Sequence, residues 1–265
     1  MPLPLYQVDA FSQEPFRGNP AAVCVLDAFL EDATLAAIAR EMNLSETAFV
    51  VPLASGFHLR WFTPVAEVDL CGHATLATAH VLWQHQGVSG DLDFHTRSGL
   101  LQARRLGEWI ALDFPQQPVT PLENQQVEAL IVGALGITPV FMGQAGSDLL
   151  VELGETVAVR ELTPDLAEIA RLPCRGLIVT AQADDPEYDI VSRFFAPQLG
   201  IPEDPVTGSA HCSLYPYWRA KLGKDELMAY QASARGGVIQ IHPHGGDRLL
   251  LLGQAVTIFA GELLL

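Results

Sequence analysis

Two segments, one in each half of the chain, carry residue types that could bind an anion and move a proton. The first, Asp69–Trp83, reads Asp-Leu-Cys-Gly-His-Ala-Thr-Leu-Ala-Thr-Ala-His-Val-Leu-Trp. The second, Glu203–Trp218, reads Glu-Asp-Pro-Val-Thr-Gly-Ser-Ala-His-Cys-Ser-Leu-Tyr-Pro-Tyr-Trp. Each passes from an acidic residue through a glycine turn into small residues that predict a helix. Because the first N–H groups of a helix are unpaired and attract anions, the two segments together could hold one small carboxylate.

Polar side chains lie at both predicted helix starts. His73 follows Gly72 at the first, where an imidazole can donate to a substrate oxygen or relay a proton. Asp204 precedes a proline that keeps it extended, so its side chain can point toward the N–H groups of Gly208 and Ser209. The alternatives are a structural histidine and ordinary helix-capping residues.

Glu46 is the first candidate for an acid or base. It lies in Asn43–Phe49, where a predicted amphipathic helix ends and a strand begins, and Ser45 and Thr47 flank it as possible hydrogen-bond donors. Partial burial raises the pKa of a carboxylate toward working pH and makes it a useful base. The alternative is a solvent-exposed loop glutamate.

The cysteines suggest no metal centre. All four are scattered without the CxxC spacing of zinc sites, and no disulfide framework is indicated. Cys71 and Cys212 flank the helix starts, so a two-thiol racemase is conceivable, although one precedes Gly72 directly and the other lies four residues after Gly208. Both could equally be buried core residues. The histidines of His242–His244 are interpreted as part of a hairpin turn, and we assign no metal.

Composition narrows the class of protein. The 265 residues are 49% hydrophobic and 17% charged, which is typical of a globular protein. The net charge of −16 argues against binding to nucleic acid, whose phosphates attract lysine and arginine. The opening residues lack a secretory pattern, and no apolar run reaches the ~18 residues of a membrane span, so we expect a cytoplasmic protein without a membrane partner.

Hydrophobic patterns in the first half predict short strands and a few helices. Leu5–Phe11 and Ala21–Leu26 are strand-like runs separated by the turn residues Arg17–Pro20. Asp32 can cap an amphipathic helix that ends near Met42. Three prolines in Pro115–Pro121 predict an inter-domain linker.

The second half repeats this theme with a helix near 124–135 and the strand 177–180. Strands are also predicted near Leu149 and Val157, with a short helix after Thr163 and four strands that close the chain. Strands and helices are intermixed, without regular alternation or a GxGxxG motif. The pattern therefore favours an α+β fold over a dinucleotide-binding parallel sheet.

Five blocks of the sequence resemble the signature of the PhzF-like phenazine biosynthesis isomerase family. They match it in order and spacing over nearly the whole chain and are Gly18–Val23, Asn43–Phe49, Arg60–Pro64, Glu67–Thr75 and Glu203–Ala210. The resemblance implies a diaminopimelate epimerase-like fold, with two similar α+β domains that each curl a barrel-like, mostly antiparallel sheet around a central helix. The domains would be 1–117, completed by the C-terminal strand 255–265, and 118–254, with the site between them. It also implies a homodimer.

The same resemblance implies a function. In the family, a glutamate at the position of Glu46 takes a proton from one substrate carbon and returns it to another, without any cofactor. His73, Asp204 and Ser209 match the family's supporting residues, while the block Gln231–Gly237 departs from its pattern and leaves the substrate open. To substrate binding we assign Gly72, Ser209, Gly208 and Asn19.

The prediction is therefore a cofactor-independent isomerase that acts on a small carboxylate, such as a cyclic amino or hydroxy acid, with Glu46, His73 and Asp204 as catalytic residues. Two alternatives stay open. One is an amino-acid racemase or epimerase that uses Cys71 or Cys212, and the other is a non-catalytic protein that binds a small molecule or a partner on the same scaffold.

Overall fold

The computed structural model describes residues 2–265, a mixture of strands and helices in which strands predominate. The chain divides into two compact units. The first ends at Phe114 and is completed by Leu250–Leu265, and the second is Pro115–Leu249. The predicted boundaries were residues 117/118 and 254/255. Within residues 2–265, no helix is long and apolar enough to cross a membrane.

The elements of the first unit are, in chain order, β1 (Pro2–Ala10), β2 (Asn19–Val25), α1 (Asp32–Met42), β3 (Glu46–Pro52), β4 (Phe57–Phe62), β5 (Glu67–Val68), α2 (Gly72–Gln84), β6 (Leu92–Thr96), β7 (Gly99–Leu106) and β8 (Trp109–Pro115). The last strand of the chain, β18 (Ala255–Leu264), pairs antiparallel with β1 and so completes this unit. Both predicted strands are present, and β1 and β2 form an antiparallel pair in which Asn19, placed in the turn by the sequence, is already part of β2.

The elements of the second unit are β9 (Val119–Pro121), α3 (Gln125–Leu135), β10 (Phe141–Ala145), β11 (Asp148–Glu152), α4 (Thr156–Arg160), α5 (Leu166–Ile169), β12 (Leu177–Gln182), β13 (Ile190–Ala196), a 3-10 turn (Pro197–Leu199), β14 (Ile201–Asp204), α6 (Gly208–Leu222), β15 (Leu227–Gln231) and β16 (Gly237–Pro243). The strand β17 (Arg248–Gly253) begins in the second unit and continues into the first, which resumes at Leu250.

Strand pairing repeats between the units. In the first, β2 pairs parallel with β3, β3 antiparallel with β4, β4 antiparallel with the short β5 and parallel with β6, and β6 antiparallel with β7. In the second, β11 pairs parallel with β12, β12 antiparallel with β13, β13 antiparallel with the short β14 and parallel with β15, and β15 antiparallel with β16. The similar sequence segments therefore belong to two similar sheets.

A partly buried ion pair is repeated in the same way. Arg60 on β4 donates two hydrogen bonds of 2.8 Å to Glu67 on β5, and Arg193 on β13 donates bonds of 2.7 and 2.9 Å to Glu203 on β14. Each glutamate lies five residues before the glycine that begins the following helix. Because a two-bond pair of planar groups fixes orientation, it positions the chain that leads to each helix.

Both glycine-led helices are largely buried. Ten of the 13 residues of α2 and eight of the 15 of α6 are buried, which is typical of a helix enclosed on most sides. In the first unit, α2 packs against β1, β2, β3 and β18. The predicted architecture, a mostly antiparallel sheet curled around a central helix, agrees with this packing.

Some local predictions were wrong. The strand predicted near Val157 is the helix α4, and β13 was not predicted. The predicted linker contains β9, which pairs with β10. Asp32 begins α1 but does not cap it, because the capping position is Glu31 and the Asp32 carboxylate lies 2.9 Å from the Arg60 guanidinium.

Candidate active site

Glu46 lies at the beginning of β3, close to the end of α1. Asn43 ends that helix in the left-handed conformation, with φ of 51°, and turns the chain toward β3. Glu46 then forms the first rung of the parallel ladder with β2, opposite Ala21. Its side chain is 13% exposed. The hydroxyl of Thr47 does not bind the Glu46 carboxylate, because successive side chains of a strand point to opposite faces. Within residues 2–265 that hydroxyl has no hydrogen-bond partner.

His73 is the second residue of α2. Cys71 occupies the capping position in an extended conformation, with φ of −146° and ψ of 111°, and its side chain makes no capping hydrogen bond. The first N–H groups of α2 are therefore not capped by that side chain, and they favour negative charge nearby. The His73 side chain is 8% exposed, so its imidazole is almost completely desolvated.

The two ring nitrogens of His73 face different partners. Nε2 lies 3.1 Å from Oε2 of Glu46, and Nδ1 lies 3.6 Å from Sγ of Cys71. The Asn19 amide nitrogen lies 3.3 Å from Nδ1. Of the predicted site residues, the structure thus brings Asn19, Glu46 and His73 together at the start of α2, which is Gly72.

Charge at this site is set by burial and by neighbours. Burial lowers the pKa of His73, but interactions with Cys71 and Glu46 outweigh it and hold that pKa well above 6.5. Burial and the Glu46 charge raise the pKa of Cys71 above its ordinary value of 9.0. The site therefore pairs an imidazole whose pKa is raised with a thiol whose pKa is also raised.

A metal-ligating role is the obvious alternative for these three side chains. One ligand-type atom from each of Glu46, Cys71 and His73 lies within 4.8 Å of the others. However, the carboxylate and the thiol face opposite nitrogens of one ring. A single ion can bind only one nitrogen of an imidazole, so this arrangement suits proton relay better than chelation, and we assign no metal to it.

The second helix start, in the second unit, is tightly hydrogen-bonded. Thr207 occupies its capping position, and its hydroxyl donates to Oδ2 of Asp204 at 2.5 Å. Gln231 is 1% exposed; its amide oxygen accepts from the Thr207 N–H at 2.9 Å, and its amide nitrogen donates to the Asp204 carbonyl at 2.8 Å. Asp204 therefore does not cap α6 itself; it is part of a network that fixes the turn before Gly208.

Ser209 is held by an arginine. The Arg175 guanidinium donates to Oγ of Ser209 at 2.9 Å and makes two further hydrogen bonds, of 2.8 and 2.5 Å, to the Asp148 carboxylate. Asp148 is 3% exposed. This network places a positive group beside the N-terminus of α6.

The two cysteines of the alternative racemase, Cys71 and Cys212, have different surroundings. Cys212 lies inside α6, where its Sγ is 3.7 Å from the Gly208 carbonyl and burial raises its pKa to about 12. The residue in register with Cys71 is Thr207, because each directly precedes the first residue of its helix. A symmetric pair of thiols is therefore not present.

Two site residues were missed from the sequence. Gln231 was noted only as part of a divergent block, and its position at the end of β15 gave no sign that it would bind the turn before α6. Arg175 lies in the loop before β12, where no motif marks it. Both act across the fold, 24 and 34 residues away from the groups they bind, so local patterns do not reveal them.

Comparison with known proteins agrees with this architecture. A family model described as "Phenazine biosynthesis-like protein" matches residues 8–261. A protein of Halalkalibacterium halodurans, named an uncharacterized isomerase, is 51% identical over 268 residues and is covered completely, as is this chain.

Solved structures give the same result. The crystal structure of a phenazine biosynthesis protein of the PhzF family from Enterococcus faecalis is 43% identical, with a TM-score of 0.93 over 100% of both chains. A hydroxyproline epimerase from Agrobacterium vitis has a TM-score of 0.60 at 10% identity, over 98% of this chain and 92% of that one, and shares the fold alone. The predicted epimerase-like fold is confirmed, and the chain belongs to the PhzF-like phenazine biosynthesis family.

Proposed function

We propose that this protein is a cofactor-independent isomerase that moves a proton between two carbons of a small carboxylate-bearing substrate, with Glu46 as the acid and base. The observation that carries the proposal is the buried contact of 3.1 Å between Glu46 and His73 at an uncapped helix start. The Halalkalibacterium halodurans relative, which is named an isomerase, supports the reaction class.

The environment of Glu46 suits a base that acts on carbon. The Glu46 carboxyl lies 3.1 Å from a histidine whose pKa is raised, and the carboxylate is the form that accepts a proton. Few water molecules can solvate a side chain that is 13% exposed, so less solvent has to be displaced when it approaches a C–H bond. The N–H groups at the start of α2 can stabilise the negative charge that develops when the proton leaves.

The short distance between the acid–base groups of the first unit favours a proton shift between two carbons over inversion at one carbon. Inversion requires groups on opposite faces of the same carbon, and two contacts of about 3–3.5 Å in line would separate them by roughly 6–7 Å. Glu46 and Cys71 offer atoms within 4.8 Å of each other. Both can therefore reach only one face of a substrate, as a shift between neighbouring carbons requires.

The test is deuterium uptake from heavy water into a panel of small cyclic and linear amino and hydroxy acids that includes dihydro-hydroxyanthranilate. Wild-type protein should exchange at least one member. Glu46→Gln should lower the exchange rate by roughly 10²–10⁴-fold, the usual contribution of a positioned acid or base, while ligand binding is retained. Glu41→Gln, on the exposed part of α1, is the matched control and should exchange at the wild-type rate.

Either of two results would contradict the proposal. A Glu46→Gln variant that exchanges at the wild-type rate would remove Glu46 from the chemistry. A wild-type protein that binds panel members but exchanges none would favour the non-catalytic binding role. The homodimer and the cytoplasmic location stay predictions, which gel filtration with light scattering and cell fractionation would measure.

A further inference from the structure

The block Gly18–Val23 begins with three residues to which the proposed function gives no role. Gly18 is left-handed, with φ of 66°, and an added Cβ would overlap the carbonyl oxygen of Ala10. Pro20 favours an extended conformation for Asn19, which begins β2 opposite Ala10. The glycine and the proline therefore fix the backbone of one asparagine at the end of the hairpin.

Asn19 reaches the site from the inside of the first unit. It is 0% exposed, whereas the side chain of Glu46 is 13% exposed. The Asn19 amide nitrogen lies 3.3 Å from Nδ1 of His73, and Nε2 of the same ring lies 3.1 Å from Oε2 of Glu46. The sequence assigned Asn19 to substrate binding, but a completely buried residue behind His73 is placed to act on that ring and not on a substrate.

We propose that Asn19 is a positioning residue: its amide donates a hydrogen bond to Nδ1 of His73 and so aims the Nε2–H group of the neutral ring at the Glu46 carboxylate. An amide nitrogen can only donate, so the ring nitrogen that it binds must be the acceptor. The proton of the neutral ring is then on Nε2. This inference rests on the proposed isomerase function, in which Glu46 remains both the acid and the base.

The His73 ring needs such a partner because its own torsion does not select one orientation. Rotation of an imidazole about its Cβ–Cγ bond is broad and roughly two-fold. A ring turned by 180° would present carbon atoms where Nδ1 and Nε2 now lie, and Glu46 would lose its N–H donor. A hydrogen bond to Nδ1 removes that alternative. The N–H group that it aims at Glu46 stabilises the carboxylate, which is the form that accepts a proton.

The first test needs no substrate. Within residues 2–265, the titratable groups that act on His73 are Cys71 and Glu46, and both are kept in Asn19→Ala. Because the Asn19 amide binds only the neutral ring, its loss should raise the pKa of His73 by about 0.5–1, the equivalent of one hydrogen bond. NMR titration of labelled histidine rings measures the change. Thr47→Val, a buried site on the opposite face of β3, is the matched control and should leave that pKa unchanged.

The direction of the change in pKa decides whether Asn19 donates. A lower His73 pKa in Asn19→Ala would mean that the amide oxygen accepts from a charged ring, and an unchanged pKa would mean that the amide does not bind the ring. Both results overturn the proposal. In the neutral wild-type ring, the nitrogen chemical shift of Nδ1 should be that of an unprotonated nitrogen, and a protonated Nδ1 would overturn the proposal as well.

The second test separates positioning from substrate binding. With the panel member that wild type exchanges, Asn19→Ala should lower kcat by roughly 10²-fold, the cost of a displacement of about 1 Å near a reacting group, and leave KM within about twofold. Thr47→Val should keep both constants, and thermal melting checks that each variant folds. A raised KM with a wild-type kcat would show that Asn19 binds substrate and would overturn the proposal.

Gly18→Ala is a further variant in which the Asn19 side chain is intact. The new methyl group would overlap the Ala10 carbonyl, so Asn19 must move, and kcat should fall as it does in Asn19→Ala. Gly87→Ala is the control, because its φ of 68° is equally left-handed but no atom of residues 2–265 lies within 4 Å of the added Cβ. An unchanged kcat in Gly18→Ala would overturn the role of the hairpin in positioning Asn19.

The results distinguish this inference from the proposed function. If Asn19→Ala keeps the wild-type kcat and His73 pKa while Glu46→Gln loses exchange, the positioning role is wrong and the isomerase stands. If Glu46→Gln exchanges at the wild-type rate, the isomerase is wrong, and the NMR titration still decides whether Asn19 donates to the ring.

Discussion

The two helix starts have similar backbones but carry different chemistry. Cys71 and Thr207 are both extended residues that precede the first glycine of a buried helix. Glu46 and Leu177 each form the first rung of the parallel ladder in their unit, yet one is a carboxylate and the other is a completely buried apolar residue. The repeated fold therefore supplies two positions for an acid or base, and only the first unit places one there.

Two buried histidines show the same difference. His73 lies beside a carboxylate, and its pKa is raised well above 6.5 despite the opposing effect of burial. His211 in α6 donates from Nδ1 to the Thr207 carbonyl at 2.8 Å, and burial lowers its pKa to about 4. Burial lowers the pKa of both imidazoles, and interactions with Cys71 and Glu46 raise that of His73. The first helix start thus holds a histidine whose pKa is raised, and the second holds one whose pKa is lowered.

This comparison predicts the largest fall in the free energy of unfolding for loss of the Gln231 amide. Gln231→Ala removes the partner of the Thr207 N–H and of the Asp204 carbonyl in a region that is nearly inaccessible to water. Buried groups left without partners cost about 1–3 kcal/mol each, so the free energy of unfolding should fall by roughly 3 kcal/mol or more. Urea denaturation followed by circular dichroism measures the change.

Gln240→Ala is the matched control for that experiment. Gln240 lies on the next strand, β16, and is partly exposed, so its truncation should change the free energy of unfolding by about 0.5 kcal/mol or less. Equal losses in the two variants would show that the second helix start is not fixed by its hydrogen bonds. The contrast with the first helix start would then need another explanation.

The next prediction concerns the charge on His73. In Glu46→Gln the neighbouring carboxylate is replaced by a neutral amide of the same shape, so the pKa of His73 should fall from its raised value toward 6.5. A pKa that is raised on folding stabilises the protein below pH 6.5, and that contribution is lost as pH rises through the folded-state pKa. The wild-type free energy of unfolding should therefore decline over that interval more steeply than that of the variant.

Titration of labelled histidine rings by NMR measures this change. His211 is an internal control, because its pKa of about 4 comes from burial and should not respond to Glu46→Gln. An unchanged His73 midpoint in the variant would mean that the carboxylate does not hold the imidazole charged. The difference between the two helix starts would then be one of hydrogen bonding alone.

The sequence predicted the elements that carry this comparison because their signals are local. Glycine followed by small residues indicated both helix starts, and Asn43–Phe49 placed Glu46 at the junction of α1 and β3. The family resemblance assigned Glu46 and His73 to one site, but their contact joins distant parts of the chain and was not predicted. Local patterns give the element that a residue occupies, whereas packing decides which residue it meets.

Errors arose where tertiary contacts override local preference. Val157 and Val159 are β-branched and predicted a strand, but they lie in α4. The hydroxyl of Thr156 donates to the Gln182 carbonyl and accepts from the Asp184 N–H, which anchors that helix to a distant strand end. A short apolar run cannot be assigned by periodicity alone, and the same ambiguity hid β13.

The smallest fall in the free energy of unfolding is predicted for loss of the Ser209 hydroxyl. Ser209→Ala removes one hydrogen bond from Arg175, which keeps its two bonds to Asp148, so the free energy of unfolding should fall by only about 1 kcal/mol. Ser209→Thr retains a hydroxyl and is the control, and urea denaturation compares the two variants. A loss as large as that of Gln231→Ala would make Ser209 part of the scaffold. A small loss leaves its hydroxyl available to a ligand, because Gln231 and not Ser209 then holds the turn in place.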